Sequence, residues 1–230
     1  MNIRLRHALL PLAMLLAACG SDPYDTGEGS LSQMRADFVE AHTDANACMT
    51  SVETDGGERL TLTPPVALEW AAKPDTTYRA LLYYNKTTDA NGTLTAEPIA
   101  MQQVLVPQIM TAEDIEGGMK TDPVEFISAW KSVNGKYLNL EIAVKTGTND
   151  GTYNAQTIGV TCDGVTENAD GTRHISLTLY HDQGDAPEYY SAETYVSVAV
   201  TRLPVTPAAG DEVSISLNTY DGVVTRTFTL

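Results

Sequence analysis

The chain has 230 residues, 30 of them acidic against 14 basic, for a formal net charge of −16 at neutral pH. A nucleic-acid binder needs clustered Lys and Arg to neutralise phosphates, and the sequence has no such cluster, so nucleic acid is excluded as a partner. The acidity reads as a soluble, self-repelling surface, and the length suits two small domains or one large one.

The chain opens with a targeting segment. Arg4 and Arg6 precede a short apolar run from Ala8 to Ala18, the charged and apolar regions of a secretory signal over residues 1–18. Such a run is too short for a permanent transmembrane helix, which needs about 20 apolar residues. The tetrad Leu16-Ala17-Ala18-Cys19 looks like a bacterial lipobox, which implies cleavage before Cys19 and acylation of that cysteine. An ordinary secretory signal cut near Ala18 is the rival reading. Each buried methylene adds roughly 0.8 kcal/mol and a single acyl chain binds only marginally, so several chains on Cys19 would make the anchor essentially permanent. Cys19 is therefore the expected lipidation site and the membrane an expected partner. Gly20 is not the aspartate that retains many lipoproteins in the inner membrane, which favours the outer membrane, periplasmic or surface-exposed.

Within residues 19–31, the stretch Gly20 to Ser30 is rich in Gly and acidic groups, with Tyr24 as its single large apolar side chain. Such a segment cannot bury enough surface to order itself and reads as an acidic tether. Once the signal is removed, 30 acidic residues face 12 basic ones and the net charge approaches −18.

The body is expected to be all-β. Arg35 to Ala41, Ala47 to Thr54 and Arg59 to Thr63 form a meander turning at Asp55-Gly56-Gly57, and Tyr78 to Tyr84 and Ile99 to Val106 add two strands. Val66 to Ala72, between Pro64-Pro65 and Pro74, leaves room for about one or two helical turns. Five strands with a short helical plug predict a small OB-like barrel over residues 32–112. Residues 113–121, with Gly117-Gly118, read as a junction.

Residues 122–230 are predicted to form an antiparallel β-sandwich. Asp55-Gly56, Asn91-Gly92, Asn134-Gly135, Asp150-Gly151, Asp163-Gly164, Asp170-Gly171 and Asp221-Gly222 are dipeptides that favour tight hairpin turns. Between turns the pattern alternates: Leu138, Leu140, Ile142 and Val144 share one face, with Tyr137, Asn139, Glu141 and Ala143 on the other. Ile175 to Leu179, Val196 to Val200, Val213 to Leu217 and, less cleanly, Val224 to Leu230 repeat it. One buried and one wet face per strand is what two packed sheets require.

These landmarks resemble the NigD-like lipoproteins of Bacteroidota-type bacteria. The resemblance is carried by the lipobox, by Glu53-Thr54-Asp55-Gly56-Gly57-Glu58-Arg59-Leu60, by Tyr78-Arg79-Ala80-Leu81-Leu82-Tyr83-Tyr84, and by Asp122-Pro123-Val124 leading through Trp130 to Gly135-Lys136-Tyr137-Leu138-Asn139-Leu140. It implies an amino-terminal OB-like barrel followed by a carboxy-terminal β-sandwich. It implies an envelope address more than an activity.

No catalytic motif stands out. The sequence has no Gly-x-Ser-x-Gly elbow, His-Glu-x-x-His helix, phosphate loop or Cys-x-x-Cys pair, so no catalytic residue, metal or cofactor is expected. His42, His174 and His181 are expected to be surface histidines, and the odd spacing of the last two places them on opposite faces of a shared strand. The loop His181, Asp182, Asp185, Glu188 with Tyr189 and Tyr190 is the candidate ligand loop, for calcium or for a sugar face. Calcium wants about six to eight oxygens, and the spacing is not that of an EF-hand; the competing reading is a solvated hairpin loop with packed tyrosines. Trp70 and Trp130 read as packing residues. Cys48 and Cys162 fall in different expected domains, so they are either a disulfide permitted by an extracytoplasmic address or two small buried hydrophobes. The expected function is a lipid-anchored, non-enzymatic envelope protein that binds an unknown protein or glycan. The alternatives are a fimbrillin-like pilin or anchor subunit and a secreted hydrolase with an unrecognised carboxylate pair.

Overall fold

The computed structural model describes residues 34–89, 91–149, 152–153 and 155–230. Cys19, the tether and Asp150-Gly151 lie outside them.

The first five strands are β1 (Met34–Thr43), β2 (Cys48–Thr54), β3 (Arg59–Ala67), β4 (Thr77–Thr88) and β5 (Leu94–Gln103). They close into a barrel in the order β1-β2-β3-β5-β4. Closure works because β4 is long enough to pair along one edge with β1 and along the other with β5, while β3 meets β5 in parallel at Thr61–Thr95 and Leu62–Ala96. Alternate residues point inward, and Val39, Ala41, Met49, Val52, Leu60, Leu62, Leu82 and Tyr84 fill the interior. Full burial of each such aliphatic chain contributes about 1.5–3 kcal/mol. Tyr84 keeps its polar tip satisfied by donating to Asp37 Oδ2 at 2.8 Å. Burial and then the Asp37 charge push its phenol up to about 12.

The expected helix over Val66 to Ala72 is reduced to one 3-10 turn, Glu69–Ala71, because β3 runs on to Ala67. Pro64 and Pro65 do not break that strand. They fall in the irregularity between the pairs Ser51–Thr61 and Met49–Val66, where no ladder N–H is required.

The remaining strands are β6 (Ile109–Met110), β7 (Glu125–Lys131), β8 (Tyr137–Thr146), β9 (Thr148–Asn149), β10 (Thr152–Tyr153), β11 (Thr157–Glu167), β12 (Arg173–Asp182), β13 (Tyr190–Ala199), β14 (Glu212–Thr219) and β15 (Gly222–Thr229). A five-stranded sheet β15-β14-β12-β11-β6 faces a three-stranded sheet β13-β8-β7. Leu138, Leu140, Ile142, Ile175, Leu177, Val196, Val198, Ile215 and Leu217 interleave between them. The protein is thus all-β, a small five-stranded barrel followed by a sandwich.

The sandwich departs from its expected description in three ways. It is not purely antiparallel: β6 pairs in parallel with β11, and β12 with β14. Ile109–Met110, which the sequence reading grouped with the barrel, therefore belongs to the larger sandwich sheet. Asp163-Gly164 is not a hairpin turn but lies inside β11, at a register shift between Cys162 and Gly164, the extra residue of a bulge. Lastly, β8 is buried on both faces, with Asn139 and Ala143 only 1% and 3% exposed. Among the described residues no helix is long and apolar enough to cross a membrane.

Candidate binding surfaces

The second face of β8 is covered by the barrel. Arg79, the single charge in the apolar run of β4, points outward from the barrel and is 4% exposed. It donates two parallel hydrogen bonds to Asp55, at 2.6 and 2.7 Å, the bidentate geometry that makes an Arg–carboxylate pair strong. It also reaches the sandwich, with Nε 3.4 Å from Ser197 Oγ and Nη2 3.5 Å from Asn139 Oδ1. The guanidinium lies 4.1 Å from the Tyr137 ring centroid and 5.3 Å from that of Phe38. Phe38 in turn meets Trp130 and Tyr195 edge to face, at 5.4 and 5.2 Å, so Trp130 packs between the units.

A second layer of polar contacts borders this aromatic group. Lys136, in the β7–β8 turn, donates to Glu40 and Glu53 of the barrel at 2.6 and 3.2 Å, and Tyr137 Oη donates to Glu40 at 2.8 Å. Burial pushes the Glu40 carboxyl up, but the bonds from Lys136 and Tyr137 outweigh it and hold the group below its usual range. Burial and then the Glu40 charge push the Tyr137 phenol up to about 12. After β5 the backbone itself crosses over: Ser197 N donates to Leu105 O at 2.8 Å, and Leu105 N to Tyr195 O at 3.2 Å. Barrel and sandwich are therefore joined by main-chain bonds, by the contacts of buried Arg79 with Ser197 and Asn139, by the ion pairs of Lys136 and by aromatic packing.

This dock leaves a groove of about 320 Å³ on the outer surface of β1–β3, lined by His42, Ser51, Glu53 and Arg59. Its charged groups are mutually occupied, since Arg59 Nε donates to Glu53 at 2.9 Å. His42 Nδ1 is 2.9 Å from Thr77 Oγ1. The groove shows no nucleophile-base pair and no carboxylate dyad.

The candidate loop is divided by the structure. His181 is not a surface residue: it lies near the end of β12 on the core side, fully buried, with Nδ1 3.0 Å from Asp122 O and Nε2 2.9 Å from Gln156 Oε1. His174 lies on the opposite face of β12, as the spacing required, 2.8 Å from Ser214 Oγ. Asp182 forms an ion pair with Lys120 at 2.6 Å and accepts from Gly184 N at 3.0 Å, which together hold its carboxyl below the usual range. Gln183 Nε2 closes the loop by donating to Lys145 O and Ala186 O. Asp185, Glu188, Tyr189 and Tyr190 remain on the surface, so the loop does not gather its carboxylates and histidine around one point. Among the described residues no group of three or more His, Cys, Asp or Glu is arranged to hold a metal ion.

Cys48 and Cys162 are free thiols, which corrects the disulfide alternative. Cys48 opens β2 in the barrel, whereas Cys162 sits at the β11 bulge with Sγ 3.7 Å from Gly164 O.

Sequence reasoning missed Arg79, Phe38, Tyr137 and Ser197 as a joint contact. A signal existed for Arg79, because a lone charge in an apolar strand must find a partner or water. None existed for the others, whose partners are remote in the chain.

The geometry agrees with known proteins. A NigD-like immunity protein from Bacteroides caccae superposes with a TM-score of 0.62 at 24% identity, over 84% of this chain and 91% of that one. A candidate toxin-related protein from Parabacteroides distasonis gives 0.58 at 20% identity, over 86% and 93%. A candidate lipoprotein from Bacteroides fragilis gives 0.55 at 13% identity, over 86% and 97%. These likenesses establish the shared fold. Comparison with curated proteins returned no significant match. The NigD-like C-terminal beta sandwich domain matches residues 107–230, more than half of the sequence and the whole of the sandwich sheets, and the chain accordingly belongs to the NigD-like family.

Proposed function

We propose that the protein is a lipid-anchored, non-enzymatic envelope protein, held through acylated Cys19 in the outer membrane and acting as a binding module. The observation that carries this reading is the use of the buried polar groups. Arg79, Asp55, Asn139 and Ser197 serve to lock two β units into one body, and the remaining exposed ionisable groups form no acid-base or nucleophilic constellation among the described residues. A rigid, acidic body on a tether presents surface rather than chemistry. The lipobox supplies the anchor, and the similarity to a candidate lipoprotein supports the address.

Metabolic labelling with an alkyne fatty acid tests the anchor. Wild type is expected to label and Cys19→Ser to lose the label; an unlabelled wild type would refute the reading. Protease accessibility on intact cells distinguishes surface from periplasm. A glycosidase and peptidase panel tests the non-enzymatic part, and turnover that survives purification of the Cys19→Ser chain would overturn it.

A more specific reading is favoured by charge. The solved relative from Bacteroides caccae is a NigD-like immunity protein, and an anchored acidic binder is suited to intercept a cationic polypeptide near the membrane, because its field raises the encounter rate.

A further inference from the structure

The end of β8 farthest from Lys136 carries an arrangement that the dock does not use. Lys145 to Gly147 is flanked by tyrosines from two different connections. On one side Tyr189 N donates to Thr146 O at 3.0 Å. Its ring lies so close over Gly147 that a Cβ there would stand 2.7 Å from Tyr189 Cδ2 and 3.0 Å from Pro187 Cγ. The ring is held against backbone yet the residue is 71% exposed. On the other side Tyr220, in the β14–β15 turn, is 46% exposed, and Lys145 Nζ stands 5.9 Å from its ring centroid. Burial raises the Tyr220 phenol, and so do the charges of Glu188, Asp122 and Glu125; Glu125 follows Val124, which bridges to Thr219 beside Tyr220, and Glu188 adjoins Tyr189 in the chain. Glu188 and Glu125 are exposed, while Asp122 already accepts from Gln183 N at 2.7 Å.

We propose that this end of the sandwich is a docking site for an arginine- or lysine-bearing polypeptide segment, whose cationic side chains seat over Tyr189 and Tyr220 with Glu188 and Glu125 as ion partners. A cation over an aromatic face is attracted by the ring quadrupole, and Lys145 already makes that contact within the chain. The packing of Tyr189 on Gly147 fixes the ring beforehand, so little conformational entropy remains to be lost on binding. The net charge of −16 draws cations toward the body. The proposal rests on the binding-module reading and names the partner class.

The test is fluorescence anisotropy of labelled hexa-arginine against the detergent-solubilised full chain at low ionic strength, with hexaglutamate and a chito-oligosaccharide as comparison probes. Hexa-arginine is expected to bind. Tyr189→Ala/Tyr220→Ala should weaken it about tenfold and Tyr220→Ala alone about threefold, in line with exposed cation–π contacts. Glu97→Gln, which removes one negative charge from the exposed surface of the barrel, should leave it unchanged. Lys145→Met should tighten binding by freeing the Tyr220 face, and Gly147→Ala should weaken it by displacing the Tyr189 ring without removing a binding group. Equal affinity of wild type and the double tyrosine variant would reduce the effect to bulk acidity and overturn the proposal. So would absence of hexa-arginine binding, or binding of the chito-oligosaccharide instead with loss in the tyrosine variant. Failure here leaves the fatty-acid labelling and enzyme panel untouched, so it is distinguishable from failure of the broader reading.

Discussion

One Arg–Asp pair lies within the five-stranded sheet of the sandwich and another, from the barrel, lies against the three-stranded sheet, and the pairs do different work. In the five-stranded sheet Arg173 of β12 binds Asp211, which lies just before β14, at 2.6 Å, and the arginine remains partly exposed. That pair ties neighbours within one sheet. Beside the three-stranded sheet Arg79 holds Asp55 within the barrel, but its remaining donors and its flat faces meet Asn139, Ser197 and Tyr137 of the sandwich. The first pair sits on a sheet whose outer face meets water; the second lies where that face has been covered. The lesson is that a polar outward face does not specify solvent. Tyr137, Asn139 and Ser197 are polar because they form a fitted contact with another unit.

Loss of Arg79 should give the largest departure between the two. Arg79→Met leaves Asp55 charged and poorly solvated, and breaking such a pair costs about 3–5 kcal/mol. Chemical denaturation should show that loss together with separate unfolding of barrel and sandwich. A single transition with unchanged midpoint would mean that Arg79 does not hold the dock. Phe38→Ala removes the ring shared with Trp130 and Tyr195. Full burial would cost about 3–5 kcal/mol; because Phe38 is half-buried, a loss of about 2 kcal/mol is expected, accompanied by a change in Trp130 fluorescence.

A smaller effect is expected from the within-sheet pair, and it depends on pH. Arg173 and then the Ala208 N–H hold the Asp211 carboxyl at about 2, below its ordinary 3.8. The native state therefore binds this proton less readily than the unfolded chain. The stabilisation is complete above 3.8 and is lost as pH falls from there toward about 2. Thermal melts across that window should fall more steeply for wild type than for Asp211→Asn, and parallel slopes would contradict the assignment. The least effect belongs to Lys136→Met. Its side chain is 42% exposed and its ammonium lies between Glu40 and Glu53, so about 0.5–1 kcal/mol is expected, with a loss that vanishes in high salt. A salt-independent loss above that range would move Lys136 from the rim of the dock to its centre.

How far these features could be read beforehand differs from residue to residue. Alternation marked β8, β12, β13 and β14 because each has an apolar face of period two. It was blind to β11, where Gly159, the Asp163-Gly164 bulge and a polar end interrupt the period, and to β7, whose Phe126, Trp130 and half-buried alternates do not separate cleanly into wet and dry. Strand direction was also hidden, since the parallel β12–β14 pair depends on a connection through β13 in the other sheet. In the candidate loop, composition brought attention to Tyr189 and Glu188, but it could not foresee that His181 would turn inward to Asp122 and Gln156, nor that Tyr220 would arrive from the β14–β15 turn.

By itself the sequence determined the class of fold, the family, the acid excess and the tetrad Leu16-Ala17-Ala18-Cys19, all of which depend on composition or on residues adjacent in the chain. Tertiary structure alone decided that the barrel covers the second face of β8, that Arg79 belongs to two units at once, that Cys48 and Cys162 stay apart, that Tyr189 packs on Gly147 and that Tyr220 meets Lys145. The physical reason is range. Periodicity and turn preference act over a few residues, whereas burial, pairing of charges and stacking of rings are settled by partners as far apart as Arg79 and Ser197, which only the folded chain brings within reach.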